Sequence, residues 1–132
     1  MQLAITAFYA GLMGIWILYL GLAVVRLRRR HDVSTGDGGH RNLEFAIRAH
    51  GNACEYIPIA LILMGLGEGM GMPGWVVHLF GLTLVAGRLM HGWFFLTGAR
   101  VLRVRVIGML LTVGAIFVLA LGAVFHGLAE ML

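Results

Sequence analysis

The sequence predicts an all-α integral membrane protein: a bundle of four transmembrane helices forming a single domain over residues 1–132. Three observations lead there. The composition is 60% hydrophobic and 12% charged, with a mean hydropathy of +0.90, which leaves too little polar surface to cover a water-soluble fold of this size. The apolar residues gather into four runs of about 20 residues, the length that crosses ~30 Å of hydrocarbon at 1.5 Å per residue. Most of the charge falls between those runs, where loops would meet water.

The first span, about residues 3–25, carries no charge and ends in the basic run Arg26, Arg28, Arg29, Arg30, His31. It has no positive segment ahead of its apolar core, so it reads as a retained helix rather than a cleaved leader. Asp32 to His40 is polar and Gly-rich, a loop whose Asp37-Gly38-Gly39 turn needs permissive backbone angles. The second span, about residues 44–66, is polar through its first three turns and apolar only from Tyr56. A turn over Gly67 to Gly74 follows, with Glu68 and a proline. The third span, about 75–97, is apolar except for His78, Arg88 and His91, and Trp75 suits an interfacial anchor. A short basic loop leads to the fourth span, about 105–129.

Arginines in short loops are retained on the cytoplasmic side. Loops one and three hold Arg26, Arg28, Arg29, Arg30, Arg41, Arg100, Arg103 and Arg105, whereas loop two and both termini hold none. Both chain ends are therefore expected to face away from the cytoplasm. The net charge of +4 and pI near 10.2 follow from these flanking arginines, and no nucleic-acid motif accompanies them.

Arg48, Asn52, Glu55 and Tyr56 fall at i, i+4, i+7 and i+8, so one face of the second helix carries all four. With entry near Ala46, Asn52 lies roughly 9 Å and Glu55 roughly 13 Å deep. A carboxylate at that depth is costly unless it is paired or hydrated, so it must face the bundle interior or a wet cavity. Counting back along the antiparallel third helix puts His91 about 9 Å and Arg88 about 13 Å deep. The matched depths predict a Glu55–Arg88 ion pair. Pro58 removes one backbone hydrogen bond just beyond the cluster and predicts a bend there. His50 lies off the stripe, facing either the site or a subunit interface.

The string Arg48-Ala-His50-Gly-Asn52-Ala-Cys54-Glu55-Tyr56-Ile-Pro58 resembles the second-helix signature R-x3-N-x2-E-Y-x-P of the MAPEG family, the membrane-associated proteins of eicosanoid and glutathione metabolism. Gly36-Asp37-Gly38-Gly39, Gly87-Arg88-Leu-Met-His91 and Arg105-Val-Ile-Gly108-Met109 extend the likeness to a bacterial-type branch, over nearly the whole chain. The resemblance implies a homotrimer that binds glutathione as co-substrate between protomers near the cytoplasmic side. It implies glutathione transferase or peroxidase activity on a hydrophobic electrophile or hydroperoxide dissolved in the bilayer, here a bacterial inner membrane. Carried over by position, Arg48, Asn52, Glu55 and Tyr56 hold glutathione, with Arg88 and His91 beside them, and Arg105 stabilises its thiolate. Arg103 is the rival for that role if loop three is aligned without a one-residue shift. By the same resemblance His91 stands where eukaryotic members often have a tyrosine, and Phe95 replaces another ligand-contacting tyrosine one turn on.

The residues make chemical sense of such a ligand. Glutathione carries two carboxylates and an ammonium, which Arg48 and Glu55 complement in sign. Its thiol, with a pKa of ~8.5, is mostly protonated at neutral pH, and a nearby guanidinium favours the reactive thiolate. No metal or haem is expected, because the histidines of the spans lack the spacing of a one-helix site and the methionines suit packing. The single Cys54 has no disulfide partner in the chain. Two other readings stay open: a catalytically silent thiol-binding or interaction protein, and a small-molecule transporter, whose weak point is the uncharged first helix.

Overall fold

The computed structural model describes residues 3–98 and 101–132, and Arg100 of the basic loop lies outside the described residues. Four helices run in order: α1 over Ala4–His31, α2 over Arg41–Gly69, α3 over Gly74–Thr97 and α4 over Leu102–Met131. Each outruns the predicted span. α1 continues six residues past Val25, because Arg and Leu are good helix formers and cations are favoured at a helix C-terminus. It stops at Asp32, which turns left-handed at φ 55° and donates its N–H to the Arg28 carbonyl. α2 takes in Gly67, Glu68 and Gly69 of the predicted turn and runs unbroken through Pro58. It ends where Gly71 adopts φ 89° and the Met72 N–H reaches the Gly67 carbonyl at 3.0 Å. In loop one Gly36, Gly38 and Gly39 all have positive φ, and the Asp37 carboxylate accepts the Gly39 N–H at 2.9 Å, as the turn chemistry anticipates.

α1, α3 and α4 are long and apolar enough to cross a membrane. α2 is as long as these but carries Arg41, Glu44, Arg48, Asn52 and Glu55 in its first half. Its Leu43, Ala46, Ala49, Ala53, Ile57, Ala60 and Met64, spaced three and four apart, are buried against the other helices. α2 touches all three neighbours, α1 packs on α2 and α3, and the most extensive contact joins α3 to α4. Outward-facing Ile15, Leu18, Leu110 and Phe125 are each at least 66% exposed, which hydrocarbon accommodates and water would not.

Two details fix the positions of the helices that matter below. α3 and α4 meet at Gly87 and Gly108, where each glycine's Cα faces the other's carbonyl so closely that a Cβ on Gly108 would sit 2.7 Å from the Gly87 oxygen. Only glycine permits that approach. At the opposite end of the bundle the Glu68 carboxylate accepts the Ile5 N–H at 3.0 Å and the Thr6 N–H at 2.8 Å. It thereby caps α1, whose first amides have no partner within the helix and whose dipole favours an anion there.

Candidate functional site

The stripe on α2 faces α3 and α4 at the end of the bundle where loops one and three lie. Arg48, Gly51, Asn52 and Glu55 follow one another at helical spacing along one wall. His91 and Phe95 of α3, one turn apart, form the opposite wall, and Arg105 closes the top from the first turn of α4. Together they line an open groove of about 240 Å³. Five residues predicted for the site, Arg48, Asn52, Glu55, His91 and Arg105, thus meet in one place. Arg103 does not line the groove, so of the two rival arginines it is Arg105 that reaches it.

Arg88 lies beneath the groove, 1% exposed. Its Nε donates to Thr112 Oγ1 at 2.9 Å, one terminal nitrogen to Asn52 Oδ1 at 2.7 Å and the other to the Met109 sulfur at 3.6 Å. Its guanidinium also sits 5.6 Å from the Tyr56 ring centroid. Tyr56 is thereby below the groove rather than on its wall. The Glu55–Arg88 pair predicted from matched depths does not form. Depth along two helices fixes height and not direction: the guanidinium turns toward Asn52 and α4, while Glu55 is exposed on the rim. Because Asn52 Oδ1 is taken by Arg88, the amino group of that amide is the part left to serve a ligand.

At the rim, the Arg48 Nε donates to Glu44 at 2.9 Å, the one ion pair among the described residues. Both partners are largely exposed and one helical turn apart, so the pair is worth only ~0.5 kcal/mol and an incoming carboxylate can compete for the guanidinium. Arg105 lies over the rings of Phe95 at 5.1 Å and Phe94 at 5.9 Å, where an aromatic face holds a guanidinium without consuming its N–H donors. His91 is buried, with its ring 5.1 Å from that of Phe95. His50 is not part of the site; it faces Gly21 of α1, with Nε2 3.5 Å from the Cys54 sulfur.

Three contributors escaped the sequence reading. Gly51 lies on the Arg48 stripe, and its missing side chain leaves the groove wall open. Thr112 and Met109 anchor Arg88 from α4; the only signal for Thr112 is its place one turn after Gly108, whose carbonyl accepts its hydroxyl at 3.1 Å. The groove carries cations at Arg48 and Arg105, an acid at Glu55 and an amide donor at Asn52, which suits a zwitterionic ligand with carboxylates. Among the described residues no three His, Cys, Asp or Glu side chains converge as a metal site would require.

Comparison with known proteins relates the chain to a family and to inner membrane proteins. The chain is 48% identical over 91 residues to Inner membrane protein YecN of Escherichia coli K12, an alignment covering 69% of this chain and 70% of that protein. The same figures hold for Inner membrane protein YecN of Escherichia coli O6:H1. The sequence model of the MAPEG family matches residues 6–125, a stretch that contains every residue of the groove and of its buried support. This chain is an integral membrane protein belonging to the MAPEG family.

Proposed function

We propose that the protein is a glutathione-dependent transferase or peroxidase acting on electrophiles or hydroperoxides at the membrane. The observation that carries this reading is the convergence of Arg48, Asn52, Glu55 and Arg105 on one groove. Glutathione presents carboxylates for Arg48 and for the Asn52 amino group, and an ammonium for Glu55. Its thiol then lies toward Arg105, whose charge lowers the thiol pKa from ~8.5 and raises the thiolate fraction at neutral pH. Arg105 also lies in the first turn of α4, where the helix dipole has the same sign of effect.

In transfer, the thiolate sulfur bonds to the electrophilic carbon and the leaving group departs with its electron pair. In peroxide reduction, two thiols supply two electrons and two protons, giving a disulfide, an alcohol and water. Arg48 and Glu55 are exposed in the single protomer and the groove is open on one side. That openness supports a homotrimer in which a neighbouring copy closes it. The arginines of loops one and three, with the relative named for the inner membrane, support placement in an inner membrane with both termini away from the cytoplasm.

A silent thiol-binding protein is the second reading, favoured by one observation. Phe95 and His91 line the groove at positions where the family resemblance implies tyrosines, and neither side chain carries a hydroxyl to offer the sulfur. Purified protein in detergent separates the two. Conjugation of an aryl halide or reduction of a hydroperoxide, lost in Arg105→Ala, supports the enzyme. Glutathione binding with neither turnover supports the silent protein, and absence of binding overturns both.

A further inference from the structure

α1 lines no part of the α2 groove, yet its outer face ends in a cavity of its own. Ile15, Leu18, Leu22 and Val25 follow one another at steps of three and four, so they form one stripe, and each is at least 41% exposed. The stripe lies on the side of the helix opposite the buried Thr6, Tyr9, Met13 and Leu20, and so faces away from the rest of the bundle. From Ile15 to Val25 it rises about 15 Å, half of a ~30 Å hydrocarbon core. At its charged end it runs into a cavity of about 440 Å³, walled by Val25, Arg28 and Arg29, by the cap residue Asp32, and by Val33 and Ser34 of loop one. The left-handed turn at Asp32 folds that loop back, and the Val33 N–H donates to the Arg28 carbonyl at 3.0 Å. Neither Arg28 nor Arg29 has an ion-pair partner among the described residues, although Asp32 shares their cavity. The Arg28 Nη1 is buried and has no acceptor among those residues, a costly arrangement for a guanidinium N–H.

We propose that the cavity and the stripe together are a binding site for one anionic phospholipid of the phosphatidylglycerol class. Its phosphate is held by Arg28 and Arg29, its glycerol head meets Ser34 and Asp32, and an acyl chain runs along Val25, Leu22, Leu18 and Ile15. Three properties of the site select that ligand. The apolar stripe is as long as one leaflet is deep and leads directly to the two guanidiniums, so it fits a molecule with a chain at one end and an anion at the other. Two guanidiniums and one carboxylate leave the cavity with a charge of +1, which a phosphodiester with a neutral head cancels; a head bearing an ammonium would leave it uncancelled. The Asp32 carboxylate accepts from a glycerol hydroxyl, and the Ser34 hydroxyl can donate or accept. The site does not depend on the thiol reading of the groove, since the two share no residue.

The test is native mass spectrometry of the full chain released from detergent micelles that contain equal amounts of dioleoyl phosphatidylglycerol and dioleoyl phosphatidylethanolamine. Wild type should retain the glycerol lipid in preference to the ethanolamine lipid, with saturable binding. The double variant Arg28→Gln/Arg29→Gln should weaken retention of the glycerol lipid by about tenfold or more, as loss of charge-assisted contacts implies. Arg26→Gln/Arg30→Gln removes the same number of charges from the same basic run but none from the cavity wall, and should leave retention nearly unchanged. If the first double variant fails to fold, Arg29→Gln alone carries the comparison, because its side chain is exposed. Glycerophosphoglycerol, which is the same head without chains, and inorganic phosphate separate a lipid from a soluble phosphate: neither should displace the bound lipid at concentrations equal to it. Equal retention of the two lipids by wild type, an equal fall in both double variants, or displacement by either soluble phosphate at equal concentration overturns the proposal.

Discussion

Replacing Gly108 by alanine tests the contact on which the site is built. A Cβ at that position would stand 2.7 Å from the Gly87 carbonyl oxygen, 2.9 Å from the His91 nitrogen and 3.1 Å from the Met90 Cβ. Two of these atoms are backbone, so no side-chain rotation relieves the clash. Restoring an ordinary 3.4 Å contact from 2.7 Å moves α4 away from α3 by about 0.7 Å. The Arg88–Thr112 bond spans the same interface at 2.9 Å, and an equal shift takes it to about 3.6 Å, beyond hydrogen-bonding range. Overpacking costs ~1–3 kcal/mol and the lost bond to a charged group ~1.5–3 kcal/mol, so a destabilisation of about 2.5–6 kcal/mol is expected. In a chain of this size that is a fall in the thermal midpoint of roughly 10 °C or more. The assay is thermal unfolding in detergent followed by circular dichroism, with Gly114→Ala on the same helix as control, since nothing lies within 4 Å of a Cβ there. If Gly108→Ala and Gly114→Ala melt together, the close contact does not hold α3 and α4 as described.

Two further substitutions separate stability from function. Arg88→Met removes a buried cation that has no carboxylate partner among the described residues, so the relief of its desolvation offsets the three lost hydrogen bonds. The thermal midpoint should stay within a few degrees of wild type, while glutathione affinity falls about tenfold because the Asn52 amide is no longer held; titration calorimetry checks this, and a large loss of stability with intact affinity would contradict it. Glu68→Gln keeps one acceptor for the α1 amides and loses the charge, for an expected cost of about 1 kcal/mol. Partial burial acts to raise the Glu68 pKa, but its hydrogen bonds with Thr6 and Ile5 prevail and hold it below the ordinary value. A depressed folded pKa means the contribution is complete above the unfolded value near 4.5 and disappears as the pH falls through the folded one. Melting curves from pH 7 to pH 3 should show this loss in wild type and not in Glu68→Gln.

Much of the fold could be read from the chain because the bilayer imposes a simple rule: long apolar runs become helices and charges mark their ends. Exact ends were less legible. The arginines after Val25 read as a stop, yet a membrane boundary is not a helix boundary, and α1 continues until Asp32 turns left-handed. The polar stripe on α2 was legible because one helix's periodicity fixes which residues share a face, and Arg48, Asn52 and Glu55 do line one groove. Contacts between helices were not. Arg88 was assigned to Glu55 from equal depth, whereas its direction is set by Thr112 and Asn52, which no count along the axis reveals. Glu68 read as a turn residue for the same reason: the amides it caps belong to Ile5 and Thr6, more than sixty positions away.

The claim that matters most is that Arg105 holds a thiolate in the α2 groove. Ultraviolet difference absorbance of the detergent-solubilised protein titrated with glutathione tests it directly, since only the thiolate gives the band. Wild type should develop a saturable thiolate signal at neutral pH. Arg105→Ala should still bind glutathione by calorimetry but lose the signal, and Glu55→Gln should weaken binding itself. No glutathione binding by wild type, or a thiolate band of equal size in Arg105→Ala, would contradict the account.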